Sequence, residues 1–317
     1  MHGLGDNLHQ RAIVRQLMQD HRVWLESSWV AVYHDLIGPE LQVVHKATSL
    51  RTQAKNAARE AGQFSRMRPP PGSRIVNISY RPADVIATGS VLGAMCKATG
   101  CHFPSADFRL PVPPEWLALA DRLIALWRPS KPIMLHRPLV ARTEWTGCGN
   151  RNPDHGAYRE LMSAIRERFF VVSVADLEAG KEWLVGEACR PDIALHSGEL
   201  VFEALAALAS RAALVFCSPG FAVPLAQAVG TPVACVFGGY ENSRSFTAGA
   251  RFTPYLGIDP IAPCQCWSHT HRCDKRIDLP RAAAALQRFV DETATSPAIV
   301  AAAAQDRLEP APAALSE

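Results

Sequence analysis

The sequence predicts an α/β protein of two doubly wound, Rossmann-like domains facing each other across a cleft. Three observations carry this expectation. Short apolar runs alternate with segments of helical period in two successive series. The stretch Arg128-Pro129-Ser130-Lys131-Pro132 separates the series and reads as a linker. The second series closes with a strand–turn–helix–turn–strand unit over 212–239, with glycine at each tight turn. In an open parallel sheet, ligands bind beyond the carboxyl ends of the strands, and both strands of this unit end in small or polar residues.

The first series begins with the glycine loop Met1-His2-Gly3-Leu4-Gly5-Asp6-Asn7. The loop feeds a helix over 9–19 with Ile13, Val14, Leu17 and Met18 on one face. Strands are expected over 23–25 and 41–45, a polar helix over 52–61 and a basic, proline-rich loop over 66–71. Arg74-Ile75-Val76-Asn77-Ile78-Ser79-Tyr80 reads as a strand and 87–98 as a helix. Pro113 opens a helix whose Trp116, Leu119, Ala120, Leu123, Ile124 and Trp127 recur at helical spacing, the mark of a core-facing stripe. After the linker come a strand over 133–136, a long polar loop, a helix over 155–168, a strand over 169–174 and a helix over 199–210. In the last unit an apolar run, 212–217, ends in Ser218-Pro219-Gly220. A short apolar helix follows, Gly230-Thr231-Pro232 stops it, and a buried run over 233–237 ends in Gly238-Gly239. A helix over 279–292 completes the fold. The expected boundaries are 1–128, 129–292 and an Ala- and Pro-rich disordered tail, 293–317. No strand precedes the glycine loop. Either the first domain lacks a central strand or the start site is placed too late.

A length of 317 residues suits two domains, and 48% apolar content supports a substantial core. The formal charge of +3 argues against a nucleic-acid-binding surface. No apolar run approaches the ~18 residues of a membrane span and no signal peptide is evident, so the expected location is the cytoplasm. Of nine cysteines, six are scattered, most in apolar segments, and read as reduced, buried thiols.

The Gly-x-Gly-Asp turn places backbone N–H groups and a carboxylate at one point. In the plain reading Asp6 or Asn7 caps the helix. In the functional reading Asp6 is a general base, kept weakly basic because a helix N-terminus favours its ionised form.

Gly3-Leu4-Gly5-Asp6 with its helix resembles the N-terminal signature of the ADP-heptose:lipopolysaccharide heptosyltransferase family (glycosyltransferase family 9). Cys217-Ser218-Pro219-Gly220, Leu225-Ala226, Gly230-Thr231-Pro232 and Val236-Phe237-Gly238 are similar to its donor-binding motif, and the stretch from Pro263-Cys264 is similar to a Cys-rich feature of many members. The resemblance implies the two-domain GT-B fold and inverting, metal-independent transfer from a nucleotide sugar, which is a substrate, so no cofactor is expected. It puts Asp6 at the catalytic base, with Gly3, Gly5, Asn7 and Gln10 on the acceptor side. Ser218, Pro219, Gly220 and Phe221 would face the donor's phosphates, and Gly238, Gly239 and Glu241 its nucleoside. The implied acceptor is a glycan or glycolipid such as lipopolysaccharide core. Basic clusters at Arg66 and Arg68 and at Arg272, Lys275 and Arg276 leave room for peripheral contact with the inner membrane. The chain departs from the family where Phe221-Ala222-Val223-Pro224 replaces a histidine after the Ser-Gly turn, and no heptose-specific pattern is evident.

His136-Arg137-Pro138 and Arg142-Thr143-Glu144-Trp145 follow the first strand of the second domain, where a pyrophosphate would lie. Fixed cations there stabilise a departing diphosphate, which makes Arg137, Arg142 and Glu144 donor-site candidates; Arg244 is a weaker one. Cys264-Gln265-Cys266-Trp267-Ser268-His269-Thr270-His271-Arg272-Cys273 carries soft ligands enough for a tetrahedral ion. The Cys-x-Cys spacing and the single short loop favour a reduced, partly buried loop over a metal site. The expected function is an inverting nucleotide-sugar glycosyltransferase. A sugar-nucleotide epimerase of the same fold and a catalytically degenerate nucleotide-sugar-binding protein are the alternatives.

Overall fold

The computed structural model describes residues 3–143, 151–186, 190–268 and 271–294. Its centre is a six-stranded sheet, entirely parallel, in the order β10-β9-β8-β3-β5-β7. These strands are β3 (Ile133–His136), β5 (Phe170–Val174), β7 (Ile193–Leu195), β8 (Leu214–Cys217), β9 (Val233–Val236) and β10 (Tyr255–Ile258). Strands β3, β8 and β9 are buried at every position, which is why they read as unbroken apolar runs rather than alternating ones. The chain moves outward from β3 through β5 to β7, then returns to β8 on the other side of β3. The sheet therefore has its topological switch point between β3 and β8, where ligands bind in open α/β sheets.

Helices cover both faces. On one, α6 (His155–Arg166) packs on α9 (Leu279–Ala294) through Leu161, Met162, Ile165, Leu286 and Val290. On the other lie α7 (Phe202–Arg211) and α8 (Ala222–Val229), with α5 (Pro114–Trp127) against α7. Of the tryptophan stripe only Trp116 and Ala120 are buried there; Ile124 and Trp127 pack half-buried against the core, and Leu119 and Leu123 stay partly exposed outside it. The core on this face runs without interruption from Leu4 to Ala248 and includes the first-series residues.

The N-terminal part holds α1 (Leu4–Leu17), a two-stranded parallel pair β1 (Val23–Ser27) and β2 (Leu41–His45), α2 (Arg51–Arg59), α3 (Pro82–Thr88) and α4 (Val91–Thr99). Helix α1 rests on α8 and α4. Three expectations change. Helix α1 starts in the glycine loop, with Gly3 as its N-cap, so neither Asp6 nor Asn7 caps it. The helix expected over 87–98 is broken by Gly89 in a left-handed conformation (φ 78°) into α3 and α4, and Ser90 caps the second. Residues 74–80 form no strand. Their β-branched residues need a sheet edge to pair with; the segment finds none, Ile75 is 85% exposed, and only Ile78 and Tyr80 pack against the core. A small antiparallel pair, β4 (Val140–Arg142) with β6 (Glu182–Leu184), was not anticipated, nor were β7 and β10. Helix α9 extends through Ala294; the tail expected to be disordered lies, from residue 295, outside the described residues.

Candidate active site

A cavity of about 600 Å³ opens at the carboxyl ends of β3 and β8 and is walled on its far side by the N-terminal part of the chain. Its lining brings together Gly3, Gly5 and Asp6 from α1 with Ser218, Pro219, Gly220 and Phe221, the corner that starts α8. Gly5 makes this approach attainable. A Cβ there would stand 3.1 Å from the Phe221 Cα and 3.2 Å from the Pro224 Cγ, closer than a side chain is tolerated without movement of backbone. Two helix N-termini thus converge; neither N-cap residue supplies a side-chain cap, and on α1 the Asp6 carboxylate accepts from the Gly3 N–H. Their first N–H groups and dipoles favour an anion between them.

Asp6 sits in the first turn of α1, half-buried, and Tyr80 donates its hydroxyl proton to Asp6 Oδ1 at 3.3 Å. Burial raises its pKa; the charge of the chain's α-amino group, Arg151, the Tyr80 hydrogen bond and the Gly3 backbone N–H pull the other way and do not overcome it. This corrects the sequence argument, which weighed the helix terminus but not desolvation. Asp6 is a stronger base than an exposed aspartate. His9, also in the lining, is held neutral, its pKa pushed down to about 4 by burial against Phe108 and Phe246.

Opposite lies Arg137, immediately after β3. Its backbone N–H donates to the Phe216 carbonyl of β8, so the switch point itself places it beside Ser218. The guanidinium donates to the Val174 carbonyl at 3.0 Å and lies 5.5 Å from the Phe221 ring centre. It pairs with no carboxylate among the described residues. Burial, with the charge of Arg142 second, pushes its pKa down to about 10, which still leaves it charged at neutral pH. Arg142, by contrast, is bound to Glu182 at 2.8 Å. Glu144 lies outside the described residues. Glu241 lines the cavity but is only 2% exposed and is held by Arg151 at 2.6 Å.

Other expected residues do not reach the cavity. Asn7 is buried, donating to the Gly3 carbonyl and accepting from Ser27 Oγ at 2.7 Å and the Tyr33 hydroxyl at 3.0 Å. Gln10 is buried in the core, and Gly238, Gly239 and Arg244 are likewise absent from the lining. Gly239 instead carries a positive φ of 96° against Cys273.

The sequence reading passed over Tyr80, Arg151 and a charged clasp on the cavity rim. In the clasp, Arg51 of α2 binds Asp176, Glu178 and Glu182, Lys55 binds Asp176, and Arg59 donates to the Gly198 and Leu200 carbonyls. The signal was present: cations at positions i, i+4 and i+8 share one helix face and repel unless anions meet them.

Away from the cavity, the structure gathers Cys264, Cys266, His271 and Cys273; His269 lies outside the described residues. Cys264 Sγ is 3.4 Å from His271 Nδ1, Cys266 Sγ 3.5 Å from Cys273 Sγ, and Cys273 Sγ 3.6 Å from His271 Nδ1. All four donor atoms lie within 4.8 Å of one another. Metal–sulfur and metal–nitrogen bonds of about 2.3 and 2.0–2.1 Å give tetrahedral edges of about 3.5–3.8 Å. Three thiols and an imidazole at these separations fit a thiophilic ion.

No family model matches the chain, and no curated protein matches it. Solved structures do. A family 9 glycosyltransferase from Veillonella parvula is 14% identical, with 81% of this chain and 83% of that one covered and a TM-score of 0.51. ADP-heptose lipopolysaccharide heptosyltransferase II of E. coli is 12% identical over 93% of this chain and 98% of its own, with a TM-score of 0.56. The iron-containing dodecameric glycosyltransferase TibC of enterotoxigenic E. coli is 14% identical over 93% and 74%, with a TM-score of 0.58. This chain shares their fold. At these identities the likeness concerns the backbone architecture. No helix among the described residues is long and apolar enough to cross a membrane.

Proposed function

We propose that the protein is an inverting glycosyltransferase that moves a sugar from a nucleoside diphosphate sugar to a hydroxyl acceptor. One observation carries the reading: a base-tuned Asp6 and an Arg137 that meets no carboxylate among the described residues face one cavity at the switch point of a parallel sheet. In this reading the N-terminal part to residue 128 and the sheet domain after it are the two halves of a GT-B enzyme, and the cavity is their cleft. The acceptor oxygen attacks the anomeric carbon from the Asp6 side as the bond to the diphosphate oxygen breaks. The acceptor proton passes to Asp6, and the leaving diphosphate keeps the bonding electron pair. Arg137 and the uncapped N-terminus of α8 stabilise that growing charge. The likeness to ADP-heptose enzymes supports an ADP-sugar donor and a glycan or glycolipid acceptor. Arg151 is the candidate to hold Glu241 in place beside the nucleoside. A metal held at the Cys264–Cys273 loop would supply structure only, since none of its four donors lines the cavity.

A thermal-shift screen against ADP-, GDP-, UDP- and CMP-sugars tests the donor assignment. The ADP-sugar should raise Tm most. A protein that responds to none of the four does not hold a nucleotide sugar in this cavity.

A further inference from the structure

The Cys/His loop has a role to explain, because it is bonded to the segment that leads into the lining residue Glu241 and packs against the lining residue Tyr80. Gln265 N–H donates to the Gly239 carbonyl at 2.9 Å, and Trp267 N–H to the Tyr240 carbonyl at 3.0 Å. Cys273 packs on Gly239 so closely that a Cβ at Gly239 would stand 3.0 Å from the Cys273 Cβ. Just beyond, Lys275 donates to the Asn152 carbonyl at 2.6 Å, next to Arg151. The Trp267 ring stands between two tyrosines, with centres 5.4 Å from Tyr240 and 6.3 Å from Tyr80. Tyr80 is the residue that donates to Asp6.

Tyr80 needs such support. It lies one residue from the end of a segment, 73–81, that belongs to no sheet and no helix, so ring packing rather than a ladder of backbone bonds fixes it. Trp267 needs support in turn. It and Gln265 hold left-handed backbone conformations (φ 51° and 53°), unfavourable for residues with a Cβ. The described residues around them, 263–268, have no regular structure. A bond network joining Cys264 and Cys266 to His271 and Cys273 would close it on either side of Trp267.

We propose that a thiophilic cation held by Cys264, Cys266, His271 and Cys273 fixes Trp267, and that Trp267 is a positioning residue for the Tyr80–Asp6 pair. The cation takes no part in the chemistry. It crosslinks a strained loop, and the loop's Trp267 packs against Tyr80, which lines the cavity. The transferase reading enters only in what Asp6 does once positioned.

The test uses the full chain and no sugar nucleotide, so its failure is separable from failure of the transferase reading. Elemental mass spectrometry of protein expressed with zinc and iron supplied should find one equivalent of zinc or iron per chain, and the analysis itself distinguishes the two. The Cys264→Ser/Cys266→Ser variant should hold less than a tenth of that. Wild-type protein without either metal, also after reconstitution with each, overturns the site without recourse to any variant. NMR titration of the Asp6 carboxyl then reads the coupling. Trp267→Ala, with its metal retained, should raise the Asp6 pKa in the direction that loss of the Tyr80 hydrogen bond raises it, while the amides of α6 and α9 stay protected, and Trp267→Phe should restore the wild-type titration. An Asp6 titration unchanged in metal-loaded Trp267→Ala overturns the positioning role.

Discussion

Replacing Arg137 with methionine separates what this residue costs the fold from what it gives the site. The guanidinium is charged and buried, and no carboxylate among the described residues meets it. A cation whose pKa is lowered by folding destabilises the folded state at every pH below the folded value, and here that value is about 10. A lowering of this size corresponds to about 3 kcal/mol, reduced where water reaches the side chain's exposed edge. Arg137→Met removes that cost. It also forfeits the bond to the Val174 carbonyl, worth about 1 kcal/mol, and the contact with Phe221, worth about 0.5–1 kcal/mol. The balance leaves Tm unchanged or higher by a few degrees. Nucleotide binding should respond in the opposite sense. Charge-assisted bonds to a diphosphate contribute about 1.5–3 kcal/mol, so calorimetry should show ADP bound roughly 10- to 150-fold more weakly. Arg142→Met is the control: its partner is Glu182, and affinity should fall less than about threefold. Arg137→Met protein that binds ADP as tightly as wild type, or that loses less than Arg142→Met does, refutes the assignment of Arg137 to the diphosphate.

Two further outcomes follow from the same geometry. The Tyr80 hydrogen bond favours ionised Asp6, so Tyr80→Phe should raise the Asp6 pKa and move the acid limb of the pH–kcat/KM profile for donor hydrolysis to higher pH; an acid limb that stays put or moves down contradicts the pairing. Arg11 is fully buried, bound to both Asp35 oxygens at 2.8 and 2.9 Å and to the Val32 and Arg109 carbonyls. Asp35→Ala should therefore destabilise by about 3–5 kcal/mol in urea unfolding, because it strands a buried charge; a loss under about 1 kcal/mol shows that water replaces the carboxylate.

The second half of the chain was legible because its strands are buried on both faces and punctuated by glycine and proline. The strand over 133–136 and the unit from Leu214 to Val236 fall where periodicity put them, and the Ser218–Phe221 corner and Arg137 reach the cavity as expected. The first half was less legible. Residues 74–80 have the composition of a strand but no edge to join, and composition carries no information about neighbours. Asn7 and Gln10 share the sequence neighbourhood of Asp6, yet helical geometry turns them into the core. The electrostatics of Asp6 depended on burial, which the glycine loop does not reveal. Tyr80 and Arg151 became visible only through the tertiary contacts that bring them to Asp6 and Glu241. The clasp was readable from the i, i+4, i+8 spacing of Arg51, Lys55 and Arg59, had their mutual repulsion been asked for a partner.

In the proposed reaction Asp6 is the proton acceptor across from the diphosphate. Asp6→Asn keeps the side chain's shape and its place in α1 while removing its basicity. Donor binding by calorimetry should stay within a factor of about two, and turnover of the selected nucleotide sugar should fall by about 10²- to 10⁴-fold. Asp6→Asn protein that turns over at the wild-type rate while binding donor normally would contradict that role.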